Sequence, residues 1–206
     1  MTNGPCSPAE AVKRALSLVG RGGKYWLGTG DYRPFKPVPG DGEPVDLPWT
    51  TNNGGTGSDC CGFAINWCYK LVRHRPGYNV GSWSSCSDDI NCNSAIEDAE
   101  HARELFQTVQ TPAPGVLLTY PTIYLTVDGQ RRQWVGHVGI VVGVSRCKSW
   151  LHDKPDYSLL DVVQVCGPNG RAPAAIATDG AIWTHHDHDW GKPEHRTKML
   201  YPVGYP

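Results

Sequence analysis

The chain is short of the features that would assign it to a specialised class. Its 206 residues include only three Phe and two Met, and hydrophobic residues make up 39%. That is below the roughly 45–50% of average proteins, a figure that also counts glycine. No run approaches the roughly 18 apolar residues of a membrane span, so membrane insertion is not expected. An excess of one charge is also missing: 19 Lys+Arg against 20 Asp+Glu leave a net charge of -1. Without a basic stripe, nucleic acid is not an expected partner. The opening Met1-Thr2-Asn3-Gly4-Pro5 lacks the basic-then-apolar pattern of a signal peptide, so synthesis in the cytoplasm is expected. The eight cysteines contain no Cys-x-x-Cys pair of zinc type, and no internal repeat is visible.

What is present points to a loop-rich single domain. Gly 24 and Pro 17 indicate many turns, and eight Trp with nine Tyr supply aromatic rings with polar edges suited to surfaces and grooves. The length allows one domain over 1–206 with a sizeable core. A Pro/Gly/Asp-rich stretch at about 31–57 and a polar stretch at about 77–93 read as loop insertions. Cys86 and Cys92 lie in or beside the second, and the sequence leaves open whether they pair.

Helices are expected first. Ser7-Pro8-Ala9-Glu10 reads as a capping box with proline in the first turn, followed by Ala11, Ala15, Leu18 and Val19 on one face and a stop at Gly20. Asp59 is a good N-cap for a second helix running to about His74. Ser94-Ala95-Ile96-Glu97 reads as the start of a third, ending near Val109. Strands are then expected at Val116–Tyr120, Ile123–Val127, Arg131–Val135, His137–Val144, Leu159–Cys166 and within Ala174–Trp183, with Asp128-Gly129 as a hairpin turn. Helices followed by an antiparallel sheet give the α+β class.

The chemistry centres on Gly57-Ser58-Asp59-Cys60-Cys61-Gly62-Phe63-Ala64. A helix N-terminus presents free backbone N–H groups and a favourable dipole, which together stabilise a thiolate. Periodicity alone does not choose between Cys60 and Cys61, since both registers stay apolar. Gly136-His137-Val138-Gly139-Ile140 supplies a histidine at the start of a strand. A helix-start Cys and a strand His, distant in sequence, suit a cysteine hydrolase. The bland alternatives are a packed thiol and a satisfied core histidine.

Ser17-Leu18-Val19-Gly20, Tyr25-Trp26-Leu27-Gly28, Asp59-Cys60-Cys61-Gly62-Phe63 and Gly136-His137-Val138-Gly139-Ile140 together resemble the NlpC/P60 cysteine peptidases, with the CHAP amidases as a broader relative. The resemblance spans about residues 7 to 183. It departs from the family pattern at Cys61, where Ser is usual, at Thr29, and at Pro114-Gly115-Val116-Leu117, which lacks an Asp. It implies a papain-like fold in which Cys60 is the nucleophile, His137 the base and Gln164 the orienting third residue, with Asn169 as the alternative. It also implies Tyr25, Trp26 and Asp59 as substrate-side residues, and Cys61 as a packed thiol. The implied substrate is an amide bond of bacterial peptidoglycan peptides, and the setting a bacteriophage lysin or a virion tail component with other tail proteins as partners. A non-catalytic tail module that keeps the fold and an acyltransferase on the same core are the alternative readings.

Thr184-His185-His186-Asp187-His188-Asp189-Trp190 alternates metal-ligating residue types. Adjacent ligands on one short segment rarely close a tetrahedral site, so the segment reads as a groove or solvated loop. No metal and no organic cofactor are expected.

Overall fold

Ser7 opens the first helix as expected: its hydroxyl accepts from the Glu10 N–H at 3.2 Å, and α1 runs Pro8–Leu16. A computed structural model describes residues 6–17, 24–25, 50–52, 55–71, 78, 90–144, 160–163, 183–184 and 196–204. Ala11 and Ala15 are the fully buried side of α1. They pack toward the helical segment that follows Cys60. Arg14 reinforces that contact. Its guanidinium lies 3.8 Å over the Trp67 ring, and its Nε donates to the Trp67 carbonyl at 2.7 Å. Leu18, Val19 and Gly20 fall outside the described residues.

Two helices differ from expectation at their ends. The second does not reach His74. It is wound as a π-helix over Gly62–Cys68 and stops at Tyr69, with Lys70 left-handed at φ 55. The Leu71 N–H reaches back to the Ile65 carbonyl at 3.1 Å and closes this last wide turn. The third helix begins earlier and ends sooner than expected. Its N-cap is Asn91, not Ser94, and α2 spans Cys92–Glu97 before a π-helical turn, Asp98–Ala102. The Asn91 side chain accepts from the Asn93 and Ser94 N–H groups at 2.9 and 3.1 Å. In return the Ser94 hydroxyl accepts from the Asn91 N–H at 2.8 Å. Ser94 is therefore the inner partner of the capping box. The helix ends because the fully buried Asp98 carboxylate accepts from the Glu104, Leu105 and Phe106 N–H groups at 2.7, 2.8 and 3.0 Å. Those bonds draw the chain out of helix at Arg103 (φ 54).

Among the described residues, strands build two sheets and a hairpin. β1 (Lys24–Tyr25) runs parallel to β3 (Gly55–Ser58), and β2 (Thr50–Asn52) pairs antiparallel with β3. The end of the stretch read as an irregular loop, 31–57, is therefore strand. The main sheet contains β4 (Phe106–Thr108), β5 (Leu117–Tyr120), β8 (His137–Val144), β9 (Leu160–Val163), β10 (Trp183–Thr184) and β11 (Lys198–Pro202). Its order is β10-β9-β8-β5-β11-β4, antiparallel throughout. β6 (Ile123–Val127) and β7 (Gln130–Trp134) form a separate hairpin. Asp128 (φ 51) and Gly129 (φ 74) turn it, as Asp-Gly in a two-residue turn requires.

The class is α+β. Alternation along the central strands divides the core into two clusters. Leu117, Val138, Ile140 and Leu200 join the helices, while Leu118, Val141, Met199 and Tyr201 form the second cluster. β5 is buried at every position, since both of its faces are covered.

Candidate active site

The segment before Cys60 is held from both sides. β3 carries the chain to Ser58, opposite Tyr25 of β1. Asp59 then caps the helical segment: its Oδ1 accepts from the Gly62 N–H at 2.6 Å, and its carbonyl accepts from the Phe63 N–H at 3.0 Å. This is the N-cap expected from the sequence, and it sets Cys60 in the first helical turn, at the positive end of the segment's dipole. The Tyr25 backbone thus comes beside Ser58, two residues from Cys60. Trp26 lies outside the described residues.

His137 opens β8 and sits directly opposite Tyr120 of β5, the two ring centroids 5.9 Å apart at 45°. It is near enough to Cys60 for its charge and hydrogen-bonding capacity to lower the thiol's pKa. The two residues singled out by sequence therefore meet. Gly136 makes the close approach possible. A Cβ at that position would lie 2.9 Å from both the Thr122 nitrogen and the Tyr120 oxygen, and 3.0 Å from the Cys92 Cβ. The same junction is tied by hydrogen bonds. The Gly136 N–H donates to the Thr122 hydroxyl at 2.9 Å, and the Thr122 N–H donates to the Asn93 Oδ1 at 2.8 Å.

Cys92 was missed as a member of this site. As the first residue of α2, it places its sulfur 3.3 Å from Cys61 Sγ and 4.0 Å from Cys60 Sγ. Cys92 is a free cysteine, and its pairing with Cys86, left open by the sequence, is not placed. Cys86 itself lies outside the described residues. One signal could have found Cys92: reading Asn91 as the cap puts a second thiol at a helix start. Cys61, expected to be a packed thiol, is buried as expected and belongs to the same sulfur cluster.

The sulfurs divide the charge unequally. Hydrogen bonds from the Cys61 and Cys92 thiols hold Cys60 well below the ordinary thiol range, and the hydrogen bond and charge of His137 add to this against the opposing effect of burial. Cys92 is pushed well above that range because it serves Cys60 and Cys61 as a donor, because it is buried, and because it faces their charge. The arrangement favours a thiolate on Cys60, with its neighbours as donors. The pair is nearly sealed and does not lie in an open groove: Cys60 keeps 4% of its surface exposed and His137 7%.

In comparisons with known proteins, no family model, no curated protein and no solved structure matches this chain. Among the described residues, no helix is long and apolar enough to cross a membrane. β9 ends at Val163, opposite Ile140 of β8. Gln164, Asn169 and the segment 185–190 lie outside the described residues, so the third residue expected beside His137 and the His/Asp run are not placed.

Proposed function

We propose that this chain is a cysteine-dependent hydrolase with a papain-like core, akin to the NlpC/P60 peptidases, cleaving an amide bond in bacterial peptidoglycan peptides. The observation that carries the proposal is that His137, at the start of a central strand, comes near Cys60, in the first turn of a capped helical segment, and lowers its thiol pKa. In this reaction the Cys60 thiolate attacks the carbonyl carbon, and backbone N–H groups at the helix start stabilise the oxyanion. The protonated His137 gives its proton to the leaving amine, and a thioester forms. Water, losing a proton to His137, then releases the acid and restores the Cys60 thiolate beside protonated His137. The choice of peptidoglycan rests on the sequence resemblance, as does a phage lysin or virion tail setting.

One observation favours a second reading, a non-catalytic module that keeps the fold: the 4% and 7% exposure of Cys60 and His137. Reactive cysteines usually retain more access. Digestion of purified peptidoglycan by wild type and Cys60→Ala, with mass spectrometry of the soluble fragments, separates the two. Release by wild type and none by Cys60→Ala supports the hydrolase. Equal release by both, or none by either, refutes it.

A further inference from the structure

We propose that Cys60, Cys61 and Cys92 form a binding site for one soft divalent cation of the zinc class, held by three sulfurs. The three Sγ atoms lie within 4.8 Å of one another, two of the separations being 3.3 and 4.0 Å. A tetrahedral zinc ion with bonds of about 2.3 Å spaces its sulfur ligands by about 3.8 Å. Small sulfur movements therefore admit an ion without moving the backbone. Thiolate sulfur is the donor type that selects zinc over magnesium or calcium.

The site is also built. Its ligands come from two helix starts that are fixed independently, Cys60 and Cys61 by the Asp59 cap and Cys92 by the Asn91–Ser94 capping box. The Gly136–Thr122–Asn93 bonds then lock the second start to the strand that bears His137. The contrast with another pair of thiols is informative. Cys6 donates to the Cys68 carbonyl at 3.0 Å, the ordinary way a packed thiol is satisfied. In the cluster, three sulfurs turn toward one another. A light atom, from water, completes the metal shell. An ion bound here occupies Cys60, so zinc would inhibit hydrolysis. That consequence alone rests on the hydrolase reading.

The test uses the full chain, reduced and freed of metal, titrated with Co2+. Expected are thiolate-to-cobalt absorption in the near ultraviolet and the strong visible bands of a tetrahedral ion, saturating at one equivalent and displaced by Zn2+. Cys61→Ala and Cys92→Ala should each weaken binding at least about tenfold. Cys6→Ala, outside the cluster, should leave it unchanged. No such absorption, or undiminished binding in both cluster variants, overturns the site. Should the variants fail to fold, X-ray absorption of zinc-loaded wild type decides. Three sulfurs at about 2.3 Å and one light atom support the assignment, and fewer than three sulfurs refute it. None of these readouts depends on peptidoglycan cleavage, so failure of the metal site and failure of the hydrolase reading are distinct results.

Discussion

Cys60 and Cys92 are buried to nearly the same degree, 4% and 6% exposed, yet their thiols are driven in opposite directions. The difference is in hydrogen bonding, which lowers the pKa of Cys60 and raises that of Cys92. For a thiol, a lowered pKa keeps the reactive anion as pH falls, and a raised one withholds it until the solution is strongly alkaline. Iodoacetamide mapping across pH should therefore label Cys60 well below the ordinary thiol value of about 8.5, before Cys92 or Cys68. Burial pushes Cys68 well up, too. His137→Ala should move the Cys60 profile to higher pH. Labelling of Cys60 only in alkali, together with the other two, would count against the thiolate. Gly136 gives a second residue-scale expectation. A methyl group there meets backbone at 2.9 Å. Gly136→Ala should cost about 1–3 kcal/mol in urea unfolding, as overpacking does, and slow Cys60 labelling.

At the scale of elements, the junctions matter more than the helices themselves. Both helical segments beside the sulfur cluster are short, seven residues in Gly62–Cys68 and six in α2. Segments of that length are not stable alone and depend on caps and packing. Asp98 is the clearest case. Its buried carboxylate takes three backbone N–H groups and converts a helix end into β4. Asp98→Ala leaves these donors without their acceptor and should cost about 3 kcal/mol or more in urea unfolding. Asn91→Ala, which removes a cap on a part-exposed turn, should cost only about 1 kcal/mol. Equal costs for the two would contradict this account. The same residues explain the misplaced third helix. Ser94 and Glu97 fit a capping-box pattern, but Asn91 fits it too, with Ser94 as its inner partner, and periodicity does not rank the two. The apolar Leu105, Phe106 and Val109 continue a helical face on paper, and only a buried acid at Asp98 takes them out of helix and puts Phe106 into β4.

The whole molecule depends on its end. β11 lies between β5 and β4, pairing Lys198 with Thr119 on one side and Pro202 with Phe106 on the other. Leu200 is fully buried in the larger core, and Met199 and Tyr201 belong to the other cluster. Removal of 197–206 should therefore abolish cooperative unfolding by calorimetry, because it cuts β4 off from β5 and takes residues out of both core clusters. Leu200→Ala should retain cooperativity with a loss of about 2–5 kcal/mol. A truncated chain that unfolds as sharply as the full one would sink this view of the sheet.

The sequence by itself determined the α+β class, the Ser7 and Asp59 caps, the Asp128-Gly129 turn, and the strands from Leu117 to Val144. Each of these is written in local chemistry: a side-chain oxygen placed to accept a helix N–H, a residue pair that tolerates positive φ, or an apolar run with strand period. Cys60 and His137 were legible as a pair because a helix-start thiol and a strand-start histidine are local signals too. Only the tertiary structure decided that Cys92 joins them, that Asp98 ends a helix, and that a five-residue strand near the C-terminus inserts between β5 and β4. Those outcomes depend on which distant segments meet. Local pattern does not encode that meeting, because it is set by burial and by the pairing of backbone groups across the whole chain.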